Sequence, residues 1–221
     1  MIMNKSKGPL PLLIPCATVF LSSACIMIIE LVAGRLIARH LGSSLYTWTS
    51  VIGVVLAGIT IGNYAGGRIA DCFPARKTLA TIFGISSAAC VLIVMANNMV
   101  GSWNCLWQLD WPTRVFCHVS LVFLIPSALL GMISPTAAKM ALEHGLPQGR
   151  TIGDIYAWGA AGSIFGTFIA GFYLIAKMGT IAIMCTVSAV LLAMAIIYWS
   201  RLWVLYIWAA IFIALVITGV M

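Results

Sequence analysis

Long uninterrupted runs of apolar residues follow one another along almost the whole chain. A helix rises about 1.5 Å per residue, so about 20 apolar residues are needed to cross a hydrocarbon core about 30 Å thick. A transmembrane β-barrel would instead show segments of about ten residues in which apolar and polar positions alternate. The continuous runs therefore predict transmembrane helices, and we place these spans at residues 10–33, 46–66, 78–99, 115–137, 153–176, 179–199 and 203–220.

The composition supports a membrane location. Of the 221 residues, 62% are hydrophobic and 8% are charged, which is too little polar surface to cover a soluble domain of this size. The longest connections between the predicted spans, 101–114 and 138–152, are too short to bury a core of their own. We therefore predict an all-α fold in which residues 1–221 form a single polytopic transmembrane domain, with lipid as its main partner.

The basic residues indicate how the chain is oriented. With these spans, one side of the membrane carries twice as many lysines and arginines as the other. The positive-inside rule then predicts a multi-pass protein of the inner cell membrane with its N-terminus in the cytoplasm. The richer side has Lys5, Lys7, Arg68, Arg76, Lys77, Lys139, Arg150 and Arg201, and the poorer side has Arg35, Arg39, Arg114 and Lys177.

The net charge of +7 is scattered over short connections, which suits anionic lipid headgroups rather than nucleic acid. The seven cysteines show neither paired CxxC motifs nor the Cys and His spacing of metal ligands. We therefore expect no metal, no cofactor and no nucleic-acid partner.

Small residues recur at intervals of four in two of the spans. Gly58, Gly62 and Gly66 remove side chains from one face of the second span, so a neighbouring helix can approach closely. Gly162 and Gly166 repeat the pattern in the fifth span, where a second face of small residues predicts two neighbours and a central position.

Two prolines interrupt the fourth span. Pro126 and Pro135 lack the amide hydrogen of other residues and predict a kinked helix. Such interruptions line cavities in transporters, and they also serve packing alone.

Ionisable residues inside or beside the spans need partners. A bare carboxylate at Glu30 would cost several kcal/mol in an apolar run, so we expect Glu30 to face the protein interior and reach another helix. Arg35 lies about 140° further round the helix, which places it poorly for pairing with Glu30. Thr151 and Asp154 fit a capping box at the start of the fifth span, and Lys139 is a candidate ion-pair partner of Asp154.

Three stretches of the sequence resemble the membrane domain of the fused major-facilitator and spermidine-synthase proteins, which are membrane-bound relatives of polyamine aminopropyltransferases. The resemblance covers about residues 15–180. Its motifs are Glu30-Leu-Val-Ala-Gly-Arg35 with Gly42-Ser-Ser-Leu-Tyr46-Thr-Trp48 and Gly66-Gly67-Arg68-Ile-Ala-Asp71, then Pro126-Ser-Ala-Leu-Leu-Gly131-Met-Ile-Ser-Pro135, and then Gly153-Asp-Ile-Tyr156-Ala with Gly159-Ala-Ala-Gly162.

This resemblance implies a bundle like half of a major-facilitator transporter. It also implies that the segment 67–77 is a cytoplasmic loop in which the glycine allows a tight turn and Asp71 meets basic and helix-end partners. Pro74 stands where the family has glycine. The candidate substrate-binding or interhelical polar residues are Glu30, Arg35, Tyr46, Trp48, Asp71, Lys139, Asp154 and Tyr156.

The soluble synthase domain of these relatives has no counterpart in the sequence, so we expect no enzymatic activity. The first functional hypothesis is a carrier of a small metabolite, with a cationic polyamine as the example and Glu30 as the counter-charge. The alternative is a non-catalytic subunit that anchors a separate enzyme or membrane complex. Homo-oligomers or other protein subunits are the expected partners, because half-sized bundles of this kind usually transport as dimers.

Overall fold

The computed structural model describes residues 10–143 and 147–199, and within them the chain is helical with no β-strand. Six helices in this part of the chain are long and apolar enough to cross a membrane, which confirms the all-α, multi-pass prediction. The predicted span 203–220 lies outside the described residues. The helices are α1 Leu10–Leu41, α2 Leu45–Cys72, α3 Ala75–Gly101, α4 Asn104–Trp107, α5 Trp111–Gly131, α6 Ile133–Leu142, α7 Gln148–Phe168, α8 Ile175–Lys177 and α9 Thr180–Tyr198.

Several helices run further than the apolar pattern predicts. Helix α1 continues through Glu30 and Arg35 to Leu41, because long basic side chains near a helix end can extend to the membrane surface. Helix α2 continues through Gly67 to Cys72, and the chain turns at Phe73 and Pro74. The expected tight turn at the glycines was therefore wrong, since proline beyond the helix end already stops the helix.

The fourth span is broken into α5 and α6 at Met132. Pro135 has no amide hydrogen, so the carbonyl of Gly131 lacks its helical donor, and the predicted interruption is found at this proline. Pro126 lies inside α5, which is continuous around it.

The fifth span begins earlier than expected and changes its helix type. Helix α7 starts at Gln148, and the Thr151 hydroxyl donates to the Pro147 carbonyl at 2.8 Å inside the first turn. Thr151 is therefore not the N-cap that the sequence indicated. Residues Ile169–Leu174 form a π-helical segment between α7 and α8, a feature that occurs frequently near functional sites.

Two pairs of helices pack through glycine. On α2, a Cβ at Gly58 would lie 2.6 Å from the Ser127 Cβ, and one at Gly62 would overlap the Ala128 carbonyl oxygen, so α2 touches the backbone of α5. On α7, Gly162 lies in the same way against the Phe20 carbonyl of α1. The spacing of small residues thus predicted both close approaches.

Helix α1, rather than α7, occupies the centre of the bundle. It packs on α7 and also contacts α2, α6 and α9, while α3 packs on α5 and α9. One face of α7 lies on α1, but Gly153 and Gly171 have open space beside them, so the central position predicted for the fifth span was wrong.

The helix directions place the charged ends on two faces. We call the face where α1 begins the N-terminal face, and the other the opposite face. Among the described residues, Arg68, Arg76, Lys77, Lys139 and Arg150 belong to the N-terminal face, and Arg35, Arg39, Arg114 and Lys177 belong to the opposite face.

Candidate functional site

A cavity of 1120 Å³ lies between α1, α2, the α5–α6 break and α7. Asp71 and Glu143 line it at the N-terminal face, and Met27 and Leu56 line it near the middles of their helices. The cavity therefore extends from one face of the bundle to about half its depth. Pockets for small ligands are usually about 300–1,000 Å³, so this one is large enough for an organic molecule.

Each wall helix contributes a single face, as its periodicity requires. Helix α2 supplies Leu56, Ile59, Asn63, Gly67 and Asp71, which recur every three or four residues. The neighbouring face of α2 carries the glycines that lie against α5, so its cavity face is fixed in direction. Helix α1 supplies Val19, Ser22, Ser23, Ile26 and Met27 with the same spacing.

The broken fourth span forms another wall. Gly131, Ser134 and Pro135 line the cavity at the break itself. Beyond the break, Lys139 and Glu143 lie four residues apart on the cavity face of α6 and its end. The interruption at Pro135 therefore lines a cavity.

The charged residues of the cavity are concentrated at the N-terminal face. The Lys139 ammonium lies 3.6 Å from a carboxylate oxygen of Asp71 and donates a hydrogen bond to the Ala70 carbonyl. Glu143 is exposed and forms no ion pair within residues 10–143 and 147–199. Two carboxylates and one ammonium thus line this end of the cavity.

Only some of the candidate residues from the sequence meet here. Asp71, Lys139 and Tyr156 line the cavity. The predicted pair of Lys139 with Asp154 was wrong, because the ion pair of Asp154 is with Arg150, 3.8 Å away on its own helix. An ion pair between neighbouring turns of one helix forms locally. The contact of Lys139 with α2 instead depends on α6, which follows the break at Met132 and forms a wall of the cavity beside α2.

The other candidates lie elsewhere. Tyr46 and Trp48 are exposed at the opposite face, where the Trp48 ring packs on Gly34. Arg35 is also exposed there and donates to the Ile175 carbonyl at 3.5 Å. None of these three residues lines the cavity.

Glu30 is separate from both the cavity and Arg35. It follows Met27 by three residues on α1, one turn beyond the inner end of the cavity. Its Oε2 atom is buried and has no hydrogen-bond partner among the described residues. The expected polar partner of Glu30 on another helix is therefore not found for this atom in this part of the chain.

The opposite face is closed by interhelical hydrogen bonds. His118 on α5 bonds through Nε2 to Oδ1 of Asn97 on α3 at 3.0 Å, and Asn97 donates to the Leu36 carbonyl of α1 at 3.4 Å. Arg39 donates to the Thr180 hydroxyl of α9 at 2.8 Å. His118 is a buried, hydrogen-bonded packing residue.

Two cavity residues, Asn63 and Glu143, were not predicted from the sequence. A helical projection of the sequence places each of them on the same helix face as a predicted residue. Asn63 lies two turns before Asp71, and Glu143 lies one turn after Lys139. These polar groups can bind a ligand. Among the described residues, no group of three His, Cys, Asp or Glu side chains comes together to hold a metal.

Comparisons of the chain with protein-family models, curated proteins and solved structures gave no match. The cavity is therefore the feature from which a function can be argued. Its open charged end, neutral interior and closed far side are the properties that matter.

Proposed function

We propose that this integral membrane protein is a carrier that takes a small organic cation into the cavity from its N-terminal face. The observation that supports the proposal is the arrangement of charge, with Asp71 and Glu143 facing Lys139 at the end of a 1120 Å³ cavity. The carboxylate of Glu143, which has no ion pair in the described chain, is the group that would receive the cation.

The closed far side favours a carrier over a channel. The side of the second half of α1 that faces the bundle is buried, with Val32, Ala33 and Ile37 fully inaccessible. The ties through Asn97 and Arg39 join the same helix to α3 and α9. A solute in the cavity therefore meets a packed barrier, and its passage requires a change of conformation.

The role expected for Glu30 changes in this proposal. Because Glu30 lies one turn beyond the cavity, it does not contact a cation bound at Glu143. We expect Glu30→Gln to lower transport less than Glu143→Gln does. The resemblance noted in the sequence points to polyamines as one class of cation to test.

The test is uptake into proteoliposomes that contain the full chain, with radiolabelled spermidine and radiolabelled hexyltrimethylammonium as the two probes. A charge-assisted contact contributes about 1.5–3 kcal/mol, so Glu143→Gln is expected to lower uptake at low probe concentration by about tenfold or more. Asp110→Asn is the matched control, because Asp110 lies at the opposite face, outside the cavity.

Absence of uptake for both probes would contradict the proposal. A protein that co-purifies stoichiometrically with such a transport-inactive chain would favour the alternative, a non-catalytic membrane subunit. Equal uptake by wild type and the Glu143→Gln variant would instead exclude this cavity as the cation site.

A further inference from the structure

The two ends of the cavity differ in chemical character. Its charged lining residues are Asp71, Lys139 and Glu143, and all three lie at the N-terminal face. The inner end is formed by Ile26, Met27, Leu56, Leu130 and Ser163. Within the described chain, the inner end of the cavity therefore has no group that can balance a charge.

The neutral polar side chains of the lining are Ser22, Ser23, Asn63, Ser134, Tyr156 and Ser163, and one of them is already engaged. The hydroxyl of Ser22 donates to the Val19 carbonyl at 3.1 Å on its own helix. Asn63 and Ser23 offer an amide and a hydroxyl part of the way down the cavity. Such groups can solvate a hydroxyl or an ether, but a bare ammonium in a mainly apolar site needs a carboxylate or full hydration.

Glu30 does not supply the missing charge. It follows Met27 by one turn on α1, yet it is absent from the cavity lining. A linear molecule with an ammonium at each end would bind one ammonium at Glu143 and leave the other among uncharged, mainly apolar side chains. That second charge would weaken binding rather than strengthen it.

We infer that the ligand of this cavity is an amphiphilic monocation, with one ammonium head and an apolar body, rather than a linear polyamine. The inference rests on the proposed function and specifies its substrate class. The head binds between Asp71 and Glu143, and the body extends along Ile59 and Met27 toward the middle of the bundle. The volume of 1120 Å³ exceeds what a compact small-molecule ligand fills, and an alkyl chain can occupy the rest.

The direction of this polarity agrees with the surrounding bilayer. In a bilayer that these helices span, the charged end is at the headgroup level of one leaflet, and the apolar end is at the depth of the acyl chains. An amphiphile in that leaflet already has its head and its body at these two depths. It can therefore enter the cavity without changing its orientation. A soluble polyamine gains nothing from this match.

Three probes with the same eight-carbon chain test the inference. Full-length protein in nanodiscs is titrated with n-octylamine, 1,8-diaminooctane and 1-octanol, and the partition into empty nanodiscs is subtracted. We expect octylamine to bind about tenfold more tightly than the diamine or the alcohol. The diamine lacks an apolar end, and the alcohol lacks an ammonium head. Glu143→Gln is expected to weaken octylamine by about tenfold, and Asp110→Asn is expected to leave it unchanged.

A carboxylate placed inside the cavity, away from its charged end, should reverse the preference. In Met27→Glu, and independently in Ser23→Asp, the diamine is expected to gain at least about tenfold in affinity relative to octylamine, since its second ammonium then has a partner. Two variants are used so that a folding defect in one leaves a second measurement, and size-exclusion chromatography identifies the folded one.

The possible outcomes separate the two proposals. Wild-type protein that binds the diamine as tightly as octylamine overturns the inference and leaves a cation carrier standing. Binding of neither amine overturns both proposals. Octanol binding equal to that of octylamine shows that charge is not recognised, and it also overturns both.

Discussion

The Lys139 ammonium lies 3.6 Å from the Asp71 carboxylate and also donates a hydrogen bond to the Ala70 carbonyl. Ala70 is in the last turn of α2, where carbonyl groups have no amide partner within the helix. Lys139 therefore caps the end of α2 from α6 and joins two walls of the cavity. The capping hydrogen bond, rather than the exposed ion pair, is the stronger part of this contact.

This relationship predicts unequal effects of two substitutions on stability. Lys139→Met leaves a helix-end carbonyl unsatisfied and is expected to lower the free energy of unfolding by about 1–3 kcal/mol. Asp71→Asn removes an exposed partner and is expected to cost less than about 1 kcal/mol. Unfolding in mild detergent measures both, with Lys77→Met at the same face as the control. Equal losses for Lys139→Met and Lys77→Met would contradict the capping role.

The contact of α2 with α5 predicts a position-specific effect of adding one methyl group. A Cβ at Gly62 would overlap the Ala128 carbonyl oxygen, whereas Gly53 on the same helix has nothing within 4 Å. Gly62→Ala should lower stability by about 1–3 kcal/mol through overpacking. Gly53→Ala should be neutral or stabilising, since alanine favours the helix. The melting temperatures of the two variants in the same detergent provide the comparison, and a stable Gly62→Ala protein would refute the close approach.

Adjacent asparagines on α3 provide a second matched pair. Asn97 is buried and joins His118 to the Leu36 carbonyl, while Asn98 is exposed. Asn97→Ala leaves buried polar groups without partners and is expected to cost about 1–3 kcal/mol. Asn98→Ala is expected to change stability by less than about 0.5 kcal/mol. If thermal unfolding gives similar losses for the two variants, the network does not hold the closed end.

The predicted orientation can be tested with cysteines that the chain already has. Cys72 ends α2 at the N-terminal face, and Cys105 lies in α4 at the opposite face, and both are exposed. If the N-terminus is cytoplasmic, a membrane-impermeant thiol reagent added to intact cells should label Cys105. Labelling should then be lost in Cys105→Ser and kept in Cys72→Ser. The reverse pattern would show that the orientation is inverted.

The sequence predicted the spans well and their ends poorly. Apolar run length fixes the number of residues that a lipid core can hold, so the six described spans lie where the runs are. The ends were missed because helices continue past charged residues whose side chains reach water, as α1 does through Arg35 and α2 does through Asp71.

The candidate site was predicted in part. Asp71 and Lys139 were singled out for their charge, but their pairing depends on where the broken fourth span places α6 against α2, and sequence spacing does not give that geometry. Glu143 was not predicted, because a carboxylate at the end of a helix can be exposed to water and then needs no partner in the protein. Its role follows only from the cavity beside it.

The glycine contacts divide much of the bundle into two stiff units. The backbones touch directly where Gly62 of α2 lies against α5 and where Gly162 of α7 lies against α1. The two helices of each pair move together, because no side chain between them can yield. One unit contains α2 and α5, the other contains α1 and α7, and the cavity lies along the seam between them. A change in the angle between these two helix pairs would alter the size of the cavity, and it would also have to rearrange the contacts that α1 makes with α2 and α6.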